Sequence, residues 1–358
     1  MPSRTSSLPL FTPLLFLLAI ALLAPAARAD HPTGGVAGGG VGAINTIGAD
    51  TMAESLWSIS LRLDLIDLKT FSNAELADFA EDDVDTHSAD RVVVPSINVA
   101  YGLSDDFTLG ARLPYVSTQD VREPSLEGGV PGSEALGDSA GLGDVTLFGQ
   151  YRFVRETADL PAFAVIGGLK MPTGEERERT DEGELFETEF QPGSGSWDPM
   201  LGLAATRTFG RASVSANVLY ILANDGSQHT NLGDVLNYNL GWAYRLNGEA
   251  PHPLGTEPEG GHVHVHEDGQ EHVHAHESAT IWDLVLELNG VWHEEQTIDG
   301  QRDENSGGNR LFLAPGVRMT VDDRWAAFAS VGVPLLEHVN GAEHETDVHA
   351  VMGVNFSF

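Results

Sequence analysis

The residues best suited to chemistry are histidines. Six of the chain's 14 lie in Gly261-His-Val-His-Val-His-Glu-Asp-Gly-Gln-Glu-His-Val-His-Ala-His-Glu277. His262, His264 and His266 form one HxHxH block, and His272, His274 and His276 form a second. In extended backbone, residues i, i+2 and i+4 point the same way, so each block sets three imidazoles on one face. Asp268-Gly269 between the blocks is a hairpin signal. If Glu267 faces Glu271, His266 pairs with His272, His264 with His274 and His262 with His276; a two-residue Asp-Gly turn opposes His to Val instead. Either register offers clustered neutral imidazoles beside carboxylates, a donor set for Zn, Cu(II), Ni or Co(II). All four ions accept imidazole, so the spacing does not choose among them. Binding of this kind weakens as pH falls through about 6.5, because protonated imidazole cannot ligate. The bland alternative is a solvated polar insert, against which the strict i+2 spacing argues.

A second set of charged residues sits inside alternating stretches. Arg62, Arg112, Arg152, Lys170, Arg245 and Arg318 share the polar parity with Asp64, Asp144, Asp198, Asp283 and Glu287. If that parity lines a lumen, six bases face five acids. So even a balance fits cross-lumen ion pairing better than strong ion selectivity. Asp283, Glu287 and His293 share one parity, but no Ser-His or paired-carboxylate arrangement demands catalysis. The expectation is a protein that is not an enzyme and carries no obligatory cofactor.

The elements that position these groups are strands. Trp57, Ile59, Leu61, Leu63 and Leu65 alternate with Ser58, Ser60, Arg62 and Asp64, and Leu236, Tyr238, Leu240, Trp242 and Tyr244 alternate with Asn237, Asn239 and Arg245. Period-two alternation over about ten residues is the strand signal. Twelve such segments are predicted: 55–70, 91–101, 107–116, 143–154, 160–171, 198–209, 211–223, 235–247, 279–294, 309–321, 324–336 and 348–358. Short connections such as Phe209-Gly210-Arg211 alternate with long polar ones. A soluble sandwich has no reason to alternate connection lengths, whereas an all-β, antiparallel up-and-down transmembrane barrel does so routinely. Closure also removes exposed strand edges. The chain stops on Phe358 after Phe356, Val354 and Met352, which resembles the assembly signal read by the machinery that inserts outer-membrane barrels. Lipid and lipopolysaccharide are the expected surroundings.

Composition sets outer limits. Lys+Arg 19 against Asp+Glu 53 gives a net charge of -34, which excludes a basic nucleic-acid-binding face. Without cysteine there is no disulfide framework, thiol chemistry or lipidated Cys. Residues 1–29 read as a signal peptide: Arg4, an apolar run from Leu14 to Leu23, then Ala27-Arg28-Ala29. Its apolar core is too short to span a bilayer. Residues 30–54 form a Gly-rich segment, including Gly34-Gly-Val-Ala-Gly-Gly-Gly-Val-Gly42, and 55–358 form the barrel, with the His-rich insert at 248–278. The predicted outer loops 71–90, 117–142, 172–197, 224–234, 295–308 and 337–347 hold 30 acidic and 4 basic residues, so acidity gathers where cations would arrive.

Several motifs narrow the class. They are Tyr101-Gly-Leu-Ser-Asp-Asp-Phe-Thr-Leu-Gly-Ala-Arg-Leu-Pro-Tyr115, Gly141-Leu-Gly-Asp-Val-Thr-Leu-Phe-Gly-Gln-Tyr-Arg-Phe153, Lys170-Met-Pro-Thr-Gly174, Gln191-Pro-Gly-Ser-Gly-Ser-Trp-Asp-Pro199 and Leu311-Phe-Leu-Ala-Pro-Gly-Val317. Together they resemble an outer-membrane transporter family named for the MetA-pathway of phenol degradation, within the FadL-like group. The resemblance implies a bacterial outer-membrane channel and a Gly-rich start that is either a hatch tucked into the lumen or a periplasmic leader. The functional expectation is a channel for a small solute, linked to transition-metal handling by a periplasmic His-rich loop. Two alternatives stand beside it: a channel for hydrophobic or aromatic compounds, and a sealed barrel anchoring a metal-buffering or sensing loop.

Overall fold

The computed structural model describes residues 42–248, 280–322 and 324–358. In chain order the elements are β1 (Trp57–Leu68), α1 (Asn73–Glu81), β2 (Arg91–Ser104), β3 (Phe107–Glu127), β4 (Val130–Leu142), β5 (Val145–Val154), β6 (Ala162–Met171), β7 (Asp198–Phe209), β8 (Ala212–Ile221), β9 (Thr230–Asn231), β10 (Val235–Arg245), β11 (Thr280–His293), β12 (Thr297–Ile298), β13 (Gln301–Arg302), β14 (Gly308–Val321), β15 (Trp325–Val339) and β16 (Thr346–Ser357). Twelve of them close a ring. Every barrel strand runs antiparallel to its neighbours, β2 pairs with both β1 and β3, and β1 pairs with β16. Trp57 and Phe358 exchange backbone hydrogen bonds of 2.8 and 2.9 Å, which seals the first strand to the last. Among the described residues no strand edge of the ring is left facing lipid, where an unpaired N–H or C=O has no water to bind.

Alternation sorts the side chains. Leu61, Ile97, Leu113, Leu201, Leu203, Leu240 and Leu286 are exposed on the outer wall, while Asp64, Ser96, Asn98, Asn217 and Glu287 are buried inside. Aromatic residues gather at the short-turn end, where Trp57 meets Tyr101 at 4.6 Å between ring centroids and Trp325 meets Phe356 at 4.3 Å. Amphipathic rings favour the headgroup level of a membrane. Among the described residues no helix is long and apolar enough to cross a bilayer.

The outer end departs from the sequence reading in two places. Residues 117–142, predicted as a loop, are mostly strand: β3 runs on to Glu127 and returns as β4, paired from Tyr115–Leu142 to Glu127–Val130 around Gly128-Gly129. Gly128 and Gly129 both have positive φ, the conformation that lets glycine make so tight a return. Within the loop after β1, α1 starts at Ser72, whose hydroxyl caps the backbone of Glu75 while the Glu75 carboxylate caps Ser72. Ile66, Leu68, Ala89, Val121, Leu136, Phe186 and Phe190 form an apolar cluster under these outer elements.

Gly102 marks where the N-terminal segment leaves the lumen. A Cβ there would lie 2.0 Å from the Ala53 carbonyl oxygen, a backbone atom with no rotamer to change. Gly102→Ala is therefore expected to cost about 1–3 kcal/mol, as overpacking does, read as an earlier urea midpoint in lipid vesicles with an unchanged slope. An unchanged midpoint would show that the segment yields at no cost.

Candidate functional site

The lumen is filled from below by the chain's own start. Residues 42–54 lie inside the ring and are anchored by side chains from around the wall. The Glu287 carboxylate on β11 accepts from the backbone N–H of Asn45 at 2.9 Å and of Thr46 at 2.7 Å, and from the Asn45 side-chain amide at 3.1 Å. Successive backbone N–H groups aimed at one carboxylate make an anion nest. Asn217 Oδ1 accepts from Ile47 N–H, Thr206 Oγ1 from Ala49 N–H and Thr108 Oγ1 from Met52 N–H, each at 2.8 Å. Gln150 donates to the carbonyls of Gly48 and Asp50, both at 2.9 Å, and Arg318 donates to the carbonyl of Ala43 at 2.9 Å. This non-repetitive segment thus finds partners for its buried backbone groups on the wall rather than in secondary structure.

The remaining inward charges largely pair with one another. Arg62 forks onto Asp64 at 2.7 and 2.8 Å, and His349 Nε2 approaches the same carboxylate at 3.1 Å. Arg112 lies 3.8 Å from Asp64. Lys170 reaches Asp198 at 2.6 Å and Asp144 at 3.8 Å, and Arg245 reaches Asp283 at 3.1 Å. Arg152 binds Asp106 at 3.0 Å in the short turn below. At that turn, hydrogen bonding by Arg155, with Arg152 adding to it, holds the Asp106 carboxyl below its usual range. Paired groups of this kind carry little net field.

Above the segment the lumen opens into a cavity of about 190 Å³. Ile47 lies at its floor, Thr188, Glu189, Gln191 and Pro192 of the loop after β6 at its roof. Leu68, Val92, Val94, Phe148, Ile166 and Leu219 give it apolar walls, and Arg112, Asp144 and Lys170 a charged corner. Of the eleven charged residues singled out by parity, these three touch the cavity; the other eight serve the pairs and anchors described above. His293, which shares the parity of Asp283 and Glu287, also lines it, as does Arg310, which was not singled out. Arg310 shares the parity of Arg318 along one strand, so the signal for it was present. The six histidines His262, His264, His266, His272, His274 and His276 lie outside the described residues. The strand ends that flank them sit at the short-turn end, where Arg245 N–H bonds to Arg211 at 2.9 Å.

Comparison with known proteins agrees with this architecture. Residues 90–253 match the family described as putative MetA-pathway of phenol degradation, the family that the sequence motifs resemble. The chain is a bacterial outer-membrane β-barrel. Its fold is similar to that of an outer membrane channel from Pseudomonas putida F1, with a TM-score of 0.55 and 15% identity over 87% of this chain and 98% of that one. More distant similarity extends to a TodX mutant, a monoaromatic hydrocarbon channel, with a TM-score of 0.46 and 11% identity over 91% of this chain and 99% of that one. At these identities the likeness establishes the fold.

The anchoring of residues 42–54 gives a direct test. The chain has no cysteine, so Thr46→Cys introduces a single buried thiol. Removing the nest with Glu287→Ala forfeits charge-assisted bonds worth about 1.5–3 kcal/mol each. Thiol labelling at position 46 is expected to speed up at least about tenfold. Equal labelling rates with and without Glu287 would mean the segment is held by something else.

Proposed function

We propose that the barrel is a gated channel for a small, largely apolar ring compound, of the aromatic hydrocarbon or phenol kind, rather than an enzyme. The observation that carries this reading is the cavity between the anchored segment and the loop roof. A dry apolar cavity of about 150 Å³ is enough to hold benzene, and this one is slightly larger. Its walls favour an apolar ring, while Arg112 and Lys170 beside Asp144 offer a hydroxyl or carboxylate substituent a polar end. The family description and the printed names of the more distant barrels, monoaromatic hydrocarbon channels, point to the same chemical class. Passage requires residues 42–54 to shift, because Ile47 lies across the floor.

A charge set into the apolar wall discriminates this channel from an ionic pore. Phe148→Asp is expected to lower uptake of phenol or toluene into cells at least about tenfold, with barrel assembly unchanged by heat-modifiable gel migration. Deleting residues 42–54 is expected to raise ion conductance in planar bilayers. Undiminished aromatic uptake by Phe148→Asp would sink the reading.

The His-rich insert supports a second role beside the first. Six imidazoles at i+2 spacing between strand ends at the short-turn side favour a metal-binding periplasmic loop. Removing residues 252–277 should abolish most calorimetric uptake of Zn or Cu(II), and acidification below about pH 6 should do the same in the intact chain. Unchanged stoichiometry after the deletion would rule out the insert as the main site.

A further inference from the structure

A second cluster of metal-ligating side chains, built from residues other than the His-rich insert, lies at the outer mouth. His87 comes from the loop between β1 and β2, Glu187 and Glu189 from the loop between β6 and β7. One ligand atom from each lies within 4.8 Å of the other two. His87 is buried and fixed on both sides: its Nδ1 lies 3.6 Å from Glu189 Oε1, its Nε2 lies 3.5 Å from Glu123 Oε2, and its ring packs edge-on against Phe190 at 4.9 Å. At 3.6 Å the first contact is too long for a hydrogen bond. It is close to the spacing of about 3.4 Å that two ligands adopt around a tetrahedral ion with bonds near 2.1 Å. The second contact, at 3.5 Å, sets a carboxylate on the far side of the imidazole, where it favours the ring electrostatically without a short hydrogen bond.

An independent feature marks the same place. A small polar cavity of about 20 Å³ is lined by His87, Glu187 and Glu189, with Asp85, Asp303 and Glu343 contributed by three loops around it. A cavity of about 10–15 Å³ suffices for one water, so this one takes a single small occupant. Carboxylates converging on so small a space repel one another, and a divalent cation would relieve that repulsion. The imidazole selects a borderline transition ion over Ca²⁺ or Mg²⁺, which prefer oxygen alone.

We propose that His87, Glu187 and Glu189 bind a divalent transition ion of the Zn²⁺ kind, clasping two outer loops together over the mouth of the barrel. The site is distinct from the His-rich insert and does not rest on the channel reading. Its consequence is mechanical: Glu189 also lines the roof of the luminal cavity, so the ion would hold that roof in place.

Limited trypsin digestion of the full chain in detergent separates this site from the insert. Arg177 and Arg179 are exposed in the clasped loop, whereas residues 248–278 contain no Lys or Arg. Zn²⁺ is expected to slow cleavage at Arg177 and Arg179 about tenfold in the parent chain and equally in the variant lacking 252–277. The effect should vanish in His87→Ala and in the near-isosteric Glu189→Gln, each checked for a closed barrel by heat-modifiable migration. A zinc-edge anomalous map should place a peak between His87 and the two glutamates. Protection that survives in both variants, or a map with zinc elsewhere and none between these residues, overturns the proposal. So does an absence of protection in the parent chain, the result expected if protonated His87 itself serves as the cation between Glu123 and Glu189.

Discussion

Everything in this molecule follows from the absence of hydrogen-bond partners in lipid. A strand crossing the bilayer must give all its N–H and C=O groups to other strands, and the only arrangement with no leftover edge is a closed ring. Closure at twelve strands then fixes two faces for every residue. The outer face dissolves in hydrocarbon, so leucines that would be liabilities on a soluble protein are its solvent contact. The inner face encloses a space wider than side chains alone fill, since about eight strands mark that limit. The fold needs something to occupy its interior, and the residues that do so determine what can pass.

Two materials fill it. Inward charges pair with each other, along one strand as in Arg62–Asp64 and across neighbouring strands as in Lys170–Asp198. Such buried pairs add little net stability, yet removing one partner leaves an uncompensated charge and costs several kcal/mol. They also make the wall nearly neutral, which suits an uncharged solute better than an ion. The second material is residues 42–54, held by inward groups that find backbone as their partner, such as Glu287, Asn217, Thr206 and Gln150. The distinction has a functional edge: pairs between strands are permanent parts of the wall, whereas contacts to an N-terminal segment can be exchanged for water one at a time.

Period-two alternation made the barrel legible, because a lipid face and a luminal face write themselves into every spanning strand. It also picked out eleven charged residues, among them Arg112, Asp144 and Lys170 at the cavity. What lay beyond its reach was not periodic. The hairpin of β3 and β4 carries Pro124, Pro131 and paired glycines, and outside the membrane nothing forces its faces to differ in polarity. The helix α1 did carry a local signal, the Ser72-x-x-Glu75 box, but nine residues of mixed polarity give a weak stripe. The anchoring of residues 42–54 depends on partners as much as 285 positions away. His87 is the extreme case: its chemistry is defined by Glu123 and Glu189, which no spacing rule connects to it.

The floor and the roof of the cavity are built on opposite principles, and that difference determines which moves first. The floor is a network of neutral and charge-assisted hydrogen bonds to backbone, each worth about 0.5–3 kcal/mol net, with Ile44, Ile47, Ala49 and Met52 as its buried apolar residues. The roof rests on the apolar cluster around Phe186 and Phe190, which water penetrates poorly, but the surface above that cluster is a concentration of carboxylates repelling one another. Floor hydrogen bonds can be traded for water one at a time, each step freeing at most a small aliphatic contact such as Ile44 or Ile47 with the wall, whereas lifting the roof exposes two phenylalanines together. Repulsion among the outer carboxylates lowers that second cost, and divalent cations restore it. With the proposed ion in place, a barrel built this way has a floor set by its own chain and a roof whose firmness follows the divalent ions at its outer mouth.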